Sequence, residues 1–148
     1  MINVDQRQLC TFFVDGIHFG LDVLSVQEVL KYQRMTRVPL APRSVSGLIN
    51  LRGQIVTAID LRERLGLKPR PEGDLPMNVV VRTADGATSL LVDEIGDVVT
   101  VDEDAYERPP ETIGAITREL VEGVYKLRGR LLMIIDTEKA IGLSAAAA

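Results

Sequence analysis

Two stretches decide the fold: GLINLRGQIVTAIDLRERLGL, residues 47–67, and GVYKLRGRLLMIIDTEKAIGL, residues 123–143. At a constant offset of 76 and without gaps they share Gly47/Gly123, Leu51/Leu127, Arg52/Arg128, Gly53/Gly129, Ile59/Ile135, Asp60/Asp136, Gly66/Gly142 and Leu67/Leu143. Matching a Leu-Arg-Gly turn and a closing Gly-Leu in one alignment marks an internal duplication. Upstream, Val23, Val26, Glu28 and Val29 align with Val92, Ile95, Asp97 and Val98 at an offset of 69. The two offsets differ by 76 − 69 = 7, so the second copy carries seven extra residues between Val99 and Gly123, where Arg108-Pro109-Pro110-Glu111 reads as a loop.

Within each copy the period is mostly two. Ile17, Phe19, Leu21 and Val23 alternate with His18, Gly20 and Asp22, the pattern of a half-buried strand. Asp15-Gly16 separates that strand from the apolar run 9–14, and Asp85-Gly86 separates 79–81 from 89–92. Asp-Gly favours the positive φ of a two-residue hairpin turn. Leu-Arg-Gly leads into a further strand in each copy, 55–59 and 131–135. Asp60 is positioned to cap a short helix over 61–65 that Gly66 ends; Asp136 and Gly142 bracket 137–141 in the same way.

The expected architecture is therefore mainly β: a first copy over residues 8–67, a Pro/Gly-rich linker at 68–78, a second copy over 79–143 and a frayed tail at 144–148. Each copy alone is marginal for one core, so two small barrels packed along a seam are expected, with a strand crossing between them left open by the repeat.

Composition narrows the function. The single cysteine, Cys10, makes no internal disulfide and no thiolate cluster, which fits a reducing cytoplasm. The single histidine, His18, falls on the polar phase of its strand, read as exposed or partly packed. No apolar run approaches the ~18 residues of a membrane span, and the amino terminus does not read as a secretory signal. Aromatics are 4% and Trp is absent, which disfavours base stacking. The net charge of −4 divides into +4 over residues 1–70 and −8 over 71–148. Between Glu28 and Asp60 there is no acid, but Lys31, Arg34, Arg37, Arg43 and Arg52 all occur there, either as a solvated face or as a field for an acidic partner.

No catalytic constellation is present. Asp93-Glu94 read as strand neighbours on opposite faces, and Asp102, Glu103 and Asp104 as a solvated acidic turn. A hydrolase using Asp60 or Asp93 lacks a partner base. The informative residues are apolar ones at spacing three: Val23, Val26 and Val29, and again Val92, Ile95 and Val98. A change from period two to three means a bend. Such residues pack a barrel corner, or Val26 and Ile95 face each other across the seam and form a groove for a partner helix. Glu28 and Arg52, with the equivalent Asp97 and Arg128, suggest an ion pair holding each Leu-Arg-Gly turn.

VQEV at 26–29, VPLAPRSVSGLINLRGQIVTAIDLRERLGL at 38–67, VVVRTADGATSLLVDEIGDVV at 79–99 and LVEGVYKLRGRLLMIIDTEKAIGL at 120–143 together resemble the CheW family of chemotaxis coupling proteins. The resemblance spans about residues 8–143. It implies two five-stranded SH3-like β-barrels and a non-enzymatic adaptor, without cofactor or metal, linking transmembrane chemoreceptors to the histidine kinase CheA. By the same resemblance the kinase's regulatory domain shares the fold and pairs with one barrel, while the receptor presents a helical hairpin tip to the inter-barrel groove. The groove residues of similar proteins match Cys10, Val23, Val26, Val29 and Ile95. Glu28 and Arg52 match an acid–arginine pair, Gly47 a functionally sensitive glycine, and Gly53 completes the turn. Cys10 stands where a larger apolar residue would fill the groove better. The alternative from another class is a nucleic-acid-binding β-barrel using the basic stretch, which the scarcity of aromatics opposes.

Overall fold

The structure, a computed structural model, describes residues 5–84 and 86–142. Asp85 of the second Asp-Gly turn, Leu143 of the repeat and the tail at 144–148 lie outside the described residues. Eleven strands and three short helices follow in order: β1 Gln6–Val14, β2 Ile17–Asp22, β3 Val26–Leu30, β4 Val45–Leu51, β5 Gln54–Asp60, α1 Leu61–Arg64, β6 Met77–Thr83, β7 Gly86–Val92, β8 Glu94–Asp102, β9 Tyr106–Glu107, α2 Ala115–Leu120, β10 Val121–Leu127, β11 Arg130–Ile135 and α3 Thr137–Ile141.

The strands form a six-stranded sheet, β8-β1-β2-β11-β10-β9, and a five-stranded sheet, β3-β6-β7-β5-β4. Each sheet therefore mixes the two copies. The β1–β2 hairpin of the first copy lies among strands of the second, and β6–β7 of the second lies among strands of the first. The exchange is registered residue by residue. Parallel β5–β7 places Thr57 beside Thr88, and parallel β11–β2 places Met133 beside Phe19, the equivalent pair under both offsets. Val26 lies opposite Val81 and Ile95 opposite Phe12, again equivalent pairs.

The exchange explains the uninterrupted apolar runs. Consecutive strand residues point to opposite faces, so a strand buried on both sides has no polar phase. Val79 and Val81 join a core drawn from both sheets, with Phe12, Phe19, Leu21, Leu90 and Ile135; Val80 between them faces a separate cluster with Ile49, Val56 and Leu91. Leu9, Tyr125, Leu132 and Ile134 form a third cluster on the six-stranded sheet. The largest core thus lies along the seam between the sheets.

Among the described residues neither sheet closes on itself, where two five-stranded barrels are expected from the sequence. The segments that would carry each sheet round pair too briefly: β9 spans two residues, and its counterpart Thr36 makes one isolated bridge to Leu48. That bridge accounts for Gly47. A Cβ there would lie 2.6 Å from the Thr36 carbonyl oxygen.

Local details largely follow the sequence. Asp15 and Gly16 have φ of 51° and 75° and close β1–β2. The Asp60 carboxylate accepts from the Arg62 N–H, capping α1, and Gly66 ends it at φ 71°. Asp136 caps α3 by accepting from the Lys139 N–H, but Gly142 has φ −74°, so the second helix does not end in the left-handed cap expected. The change from period two to three is a 3-10 turn at Val23–Ser25, capped by Asp22. The extra residues of the second copy include α2, which sequence periodicity missed because six residues hold too few apolar positions to show a period. Thr117 Oγ1 of α2 donates to the Leu65 carbonyl at 2.7 Å, satisfying an acceptor at the end of α1. No helix among the described residues is long and apolar enough to cross a membrane.

Candidate functional site: an apolar seam and its ion pairs

β3 and β8 are edge strands of different sheets, and each begins at the seam. Val26 opens β3 and Ile95 is the second residue of β8; both are half-buried and pack against the same inter-sheet core. Three residues on, their equivalents diverge into solvent: Val29 is 44% and Val98 56% exposed. Cys10 is half-buried on β1, opposite Leu21 on one side and Val98 on the other. Burial pushes the Cys10 thiol up and the Asp22 charge adds to the effect, so at neutral pH it is an apolar wall and no thiolate nucleophile. Val23 starts the 3-10 turn leading into β3 and is half-buried. The chemistry these side chains offer is apolar contact.

A bulge between Val26 and Glu28 re-aims the following side chain. Glu28 accepts a hydrogen bond from Arg52 Nη2 across the sheet. That bond holds the Glu28 carboxyl below its ordinary range. Arg52 sits at φ 51° and Gly53 at φ 85°, and Asn50 Oδ1 accepts from the Gly53 N–H at 2.9 Å, so the turn is locked from inside. Arg52 nevertheless has 70% of its side chain in solvent. The second copy differs. Among the described residues no ion pair joins Asp97 to Arg128, and the Asp97 carbonyl instead accepts from Thr11 Oγ1 at 2.5 Å. The pair expected in both copies is present in one.

The most connected polar cluster was not anticipated. Asp93 occupies the bend between β7 and β8 and is half-buried, where a strand position had been expected. Its carboxylate accepts from Arg62 Nη2 at 2.6 Å and Nε at 3.0 Å, from Arg70 Nε at 3.0 Å and from the Asp15 N–H at 2.6 Å. Arg70 also reaches Asp60 at 3.3 Å, and Arg62 Nη1 donates to the carbonyls of Lys68 and Pro69. Burial works to raise the Asp93 carboxyl, but the donors from Arg62, Asp15 and Arg70 outweigh it and hold it below the usual carboxylate range. Asp60 and Asp93 are thus ion-paired and are not free bases for a hydrolase. The signal in the sequence was a departure from the repeat: Asp93 aligns with Leu24 and Arg62 with Glu138, so the Asp93–Arg62 pair has no copy.

His18, read from its strand phase as exposed or partly packed, is buried. Its ring stacks on Phe13 with centroids 4.6 Å apart, Arg130 lies over the Phe13 ring, and among the described residues Nδ1 has no hydrogen-bond partner. Burial lowers its pKa and the Arg130 charge lowers it further. Its strand phase faces the neighbouring Phe13 side chain, so the polar phase is not a solvent phase. Among the described residues no group of three or more His, Cys, Asp or Glu is placed to hold a metal ion.

Residues 8–144 match the CheW-like domain. The chain belongs to the CheW-like domain family. It is 34% identical over 135 residues to the chemotaxis protein CheW of Bacillus subtilis (strain 168), covering 91% of this chain and 86% of that one. It is 30% identical to the chemotaxis protein CheW of Treponema pallidum (strain Nichols), covering 93% and 84%. The crystal structure of the scaffolding protein TtCheW from Thermoanaerobacter tengcongensis superposes with a TM-score of 0.78 at 32% identity, covering 88% of each chain. The CheW-like family and these relatives support a scaffold or adaptor in chemotaxis and do not support the nucleic-acid-binding alternative.

Proposed function

We propose that this chain is a non-enzymatic cytoplasmic adaptor that couples the cytoplasmic hairpin tip of chemoreceptors to the regulatory domain of the histidine kinase CheA. The observation that carries the receptor half is the seam: Val26 and Ile95, half-buried on edge strands of different sheets, flank one core. A helix laid along them would bury apolar surface at ~25 cal/mol per Å² before ordering costs. Cys10, Val23 and Val29 would extend the groove. Lys31, Arg34, Arg37, Arg43 and Arg52 are all exposed and would speed encounter with an acidic surface, making association salt-sensitive. Glu28, Arg52, Gly47 and Gly53 hold the β4–β5 turn for a partner, since an exposed ion pair contributes little to stability itself. Within this proposal each sheet with its outer apolar cluster corresponds to one SH3-like unit of the family.

The test is co-sedimentation of the chain with a receptor cytoplasmic hairpin and the kinase, at low and high salt. A ternary complex is expected to pellet, less at high salt. Val26→Asp should remove the hairpin from the pellet while the circular dichroism spectrum stays unchanged, because the carboxylate would be desolvated in the groove without a partner. Hairpin binding that survives Val26→Asp refutes the groove.

A further inference from the structure

The chain crosses between the sheets beside the seam at two equivalent places, and the two crossings are held differently. After β2 it passes to β3 through Val23–Ser25, where Leu24 is largely in solvent, its N–H donates to the Asp22 carboxylate at 3.0 Å, and exposed Arg82 donates to the Leu24 and Val26 carbonyls at 3.0 Å. After β7 it passes to β8 through Asp93, whose N–H donates to the Phe13 carbonyl at 3.0 Å while its carboxylate takes Arg62, Arg70 and the Asp15 N–H. Those partners come from separate parts of the fold: the β1–β2 turn, α1 and the linker. Arg62 is only 7% exposed, and removing one member of such a network strands the others. One wall of the seam, β8, is therefore bolted to the rest of the molecule two residues before Ile95. The other, β3, is held at its entry by more exposed groups: the Asp22 carboxylate, which pairs with Arg7 at 3.3 Å, and Arg82 on two backbone carbonyls.

We infer that the Asp93–Arg62–Arg70 cluster is a positioning device: it fixes Ile95 as the rigid wall of the seam, against which the more compliant β3 wall carrying Val26 closes on a partner helix. This rests on the groove reading for its functional consequence, but the rigidity it asserts does not. Among the described residues no hydrogen bond or ion pair joins the cluster to a groove side chain, so it would act through the backbone of Asp93, Glu94 and Ile95. Because its members lack equivalents in the repeat, the two walls differ although their apolar residues match.

The experiment measures two things on the full chain: the inter-label distance distribution with Cys10→Ala and spin labels at exposed Gln27→Cys on β3 and Thr100→Cys on β8, and, in the unlabelled chain with Cys10 in place, affinity for a receptor cytoplasmic hairpin. Asp93→Asn should broaden the distribution and weaken hairpin binding about tenfold, with little change in far-ultraviolet circular dichroism. Arg70→Gln, which leaves the Arg62–Asp93 pair in place, should act in the same direction by less and serves if Asp93→Asn does not fold. Arg82→Gln should loosen the β3 side alone. An unchanged distance distribution in Asp93→Asn or its substitute, or an unchanged affinity alongside a hairpin that does bind, overturns the assignment. If Val26→Asp leaves hairpin binding intact in the same assay, the groove reading fails by itself, and the distance distributions alone then decide whether Asp93 positions β8.

Discussion

Gly47→Ala is expected to unfasten the segment that covers the edge of β4. The added methyl would lie 2.6 Å from the Thr36 carbonyl oxygen, 3.2 Å from its carbonyl carbon and 3.1 Å from Met35 Cβ. All three are inside the ~3.5 Å of relaxed carbon contact. The obstruction is main chain, so no rotamer change relieves it. Thr36 is held there by two bonds, its N–H to the Leu48 carbonyl at 2.8 Å and the Leu48 N–H to its own carbonyl at 2.7 Å. Overpacking of this kind costs ~1–3 kcal/mol, and each backbone bond weakened adds ~1 kcal/mol. Against this, alanine restricts the unfolded chain and returns ~0.4–1 kcal/mol. The net loss is about 2–3 kcal/mol, which for a chain of this size lowers the melting temperature by roughly 5–10 °C without unfolding it. Calorimetric melting gives the magnitude, and hydrogen exchange at the Leu48 amide gives the place, since that proton loses its acceptor when Thr36 retreats. Gly123→Ala is the internal comparison. Its Cβ would meet the Tyr106 ring, a side chain 41% exposed that can swing away, so the loss should be smaller than at Gly47. A Gly47→Ala protein melting within about 2 °C of wild type, or keeping a protected Leu48 amide, would refute this account of the glycine.

Arg52→Ala should lower kinase coupling while leaving the melting temperature almost unchanged, because its guanidinium is mostly in solvent; equal losses in both assays would make the Glu28 pair structural only. Melting temperature should fall as pH drops below about 6.5, since unfolded chains protonate His18 where the buried ring beside Arg130 resists it, and His18→Phe should flatten that slope. The contribution of Asp93 has the opposite chemistry but the same direction: its carboxyl is held low in the fold, so stabilisation present above about pH 3.9 is lost as acid protonates it, and Asp93→Asn should remove that part of the acid transition.

The local elements and the duplication were legible from residue order. Asp15-Gly16, the Asp60 and Asp136 caps and the Arg52-Gly53 turn are fixed by interactions reaching only two or three residues, so spacing alone exposes them. It also located Val26 and Ile95 as residues out of phase with their strands. Which copy pairs with which was visible in the folded chain alone. The unbroken apolar run Val79–Val81 says that β6 is covered on both faces, but not that, besides pairing with β7 of its own half, it pairs with β3 of the other. The same ambiguity hid His18, whose polar phase is closed by Phe13, and the asymmetry of the ion pairs, because Asp93 finds Arg62 and Arg70 through chain crossings that no periodicity records. Hydrophobic pattern specifies how much of a strand is covered, whereas the partner that covers it is set by the packing of the whole chain.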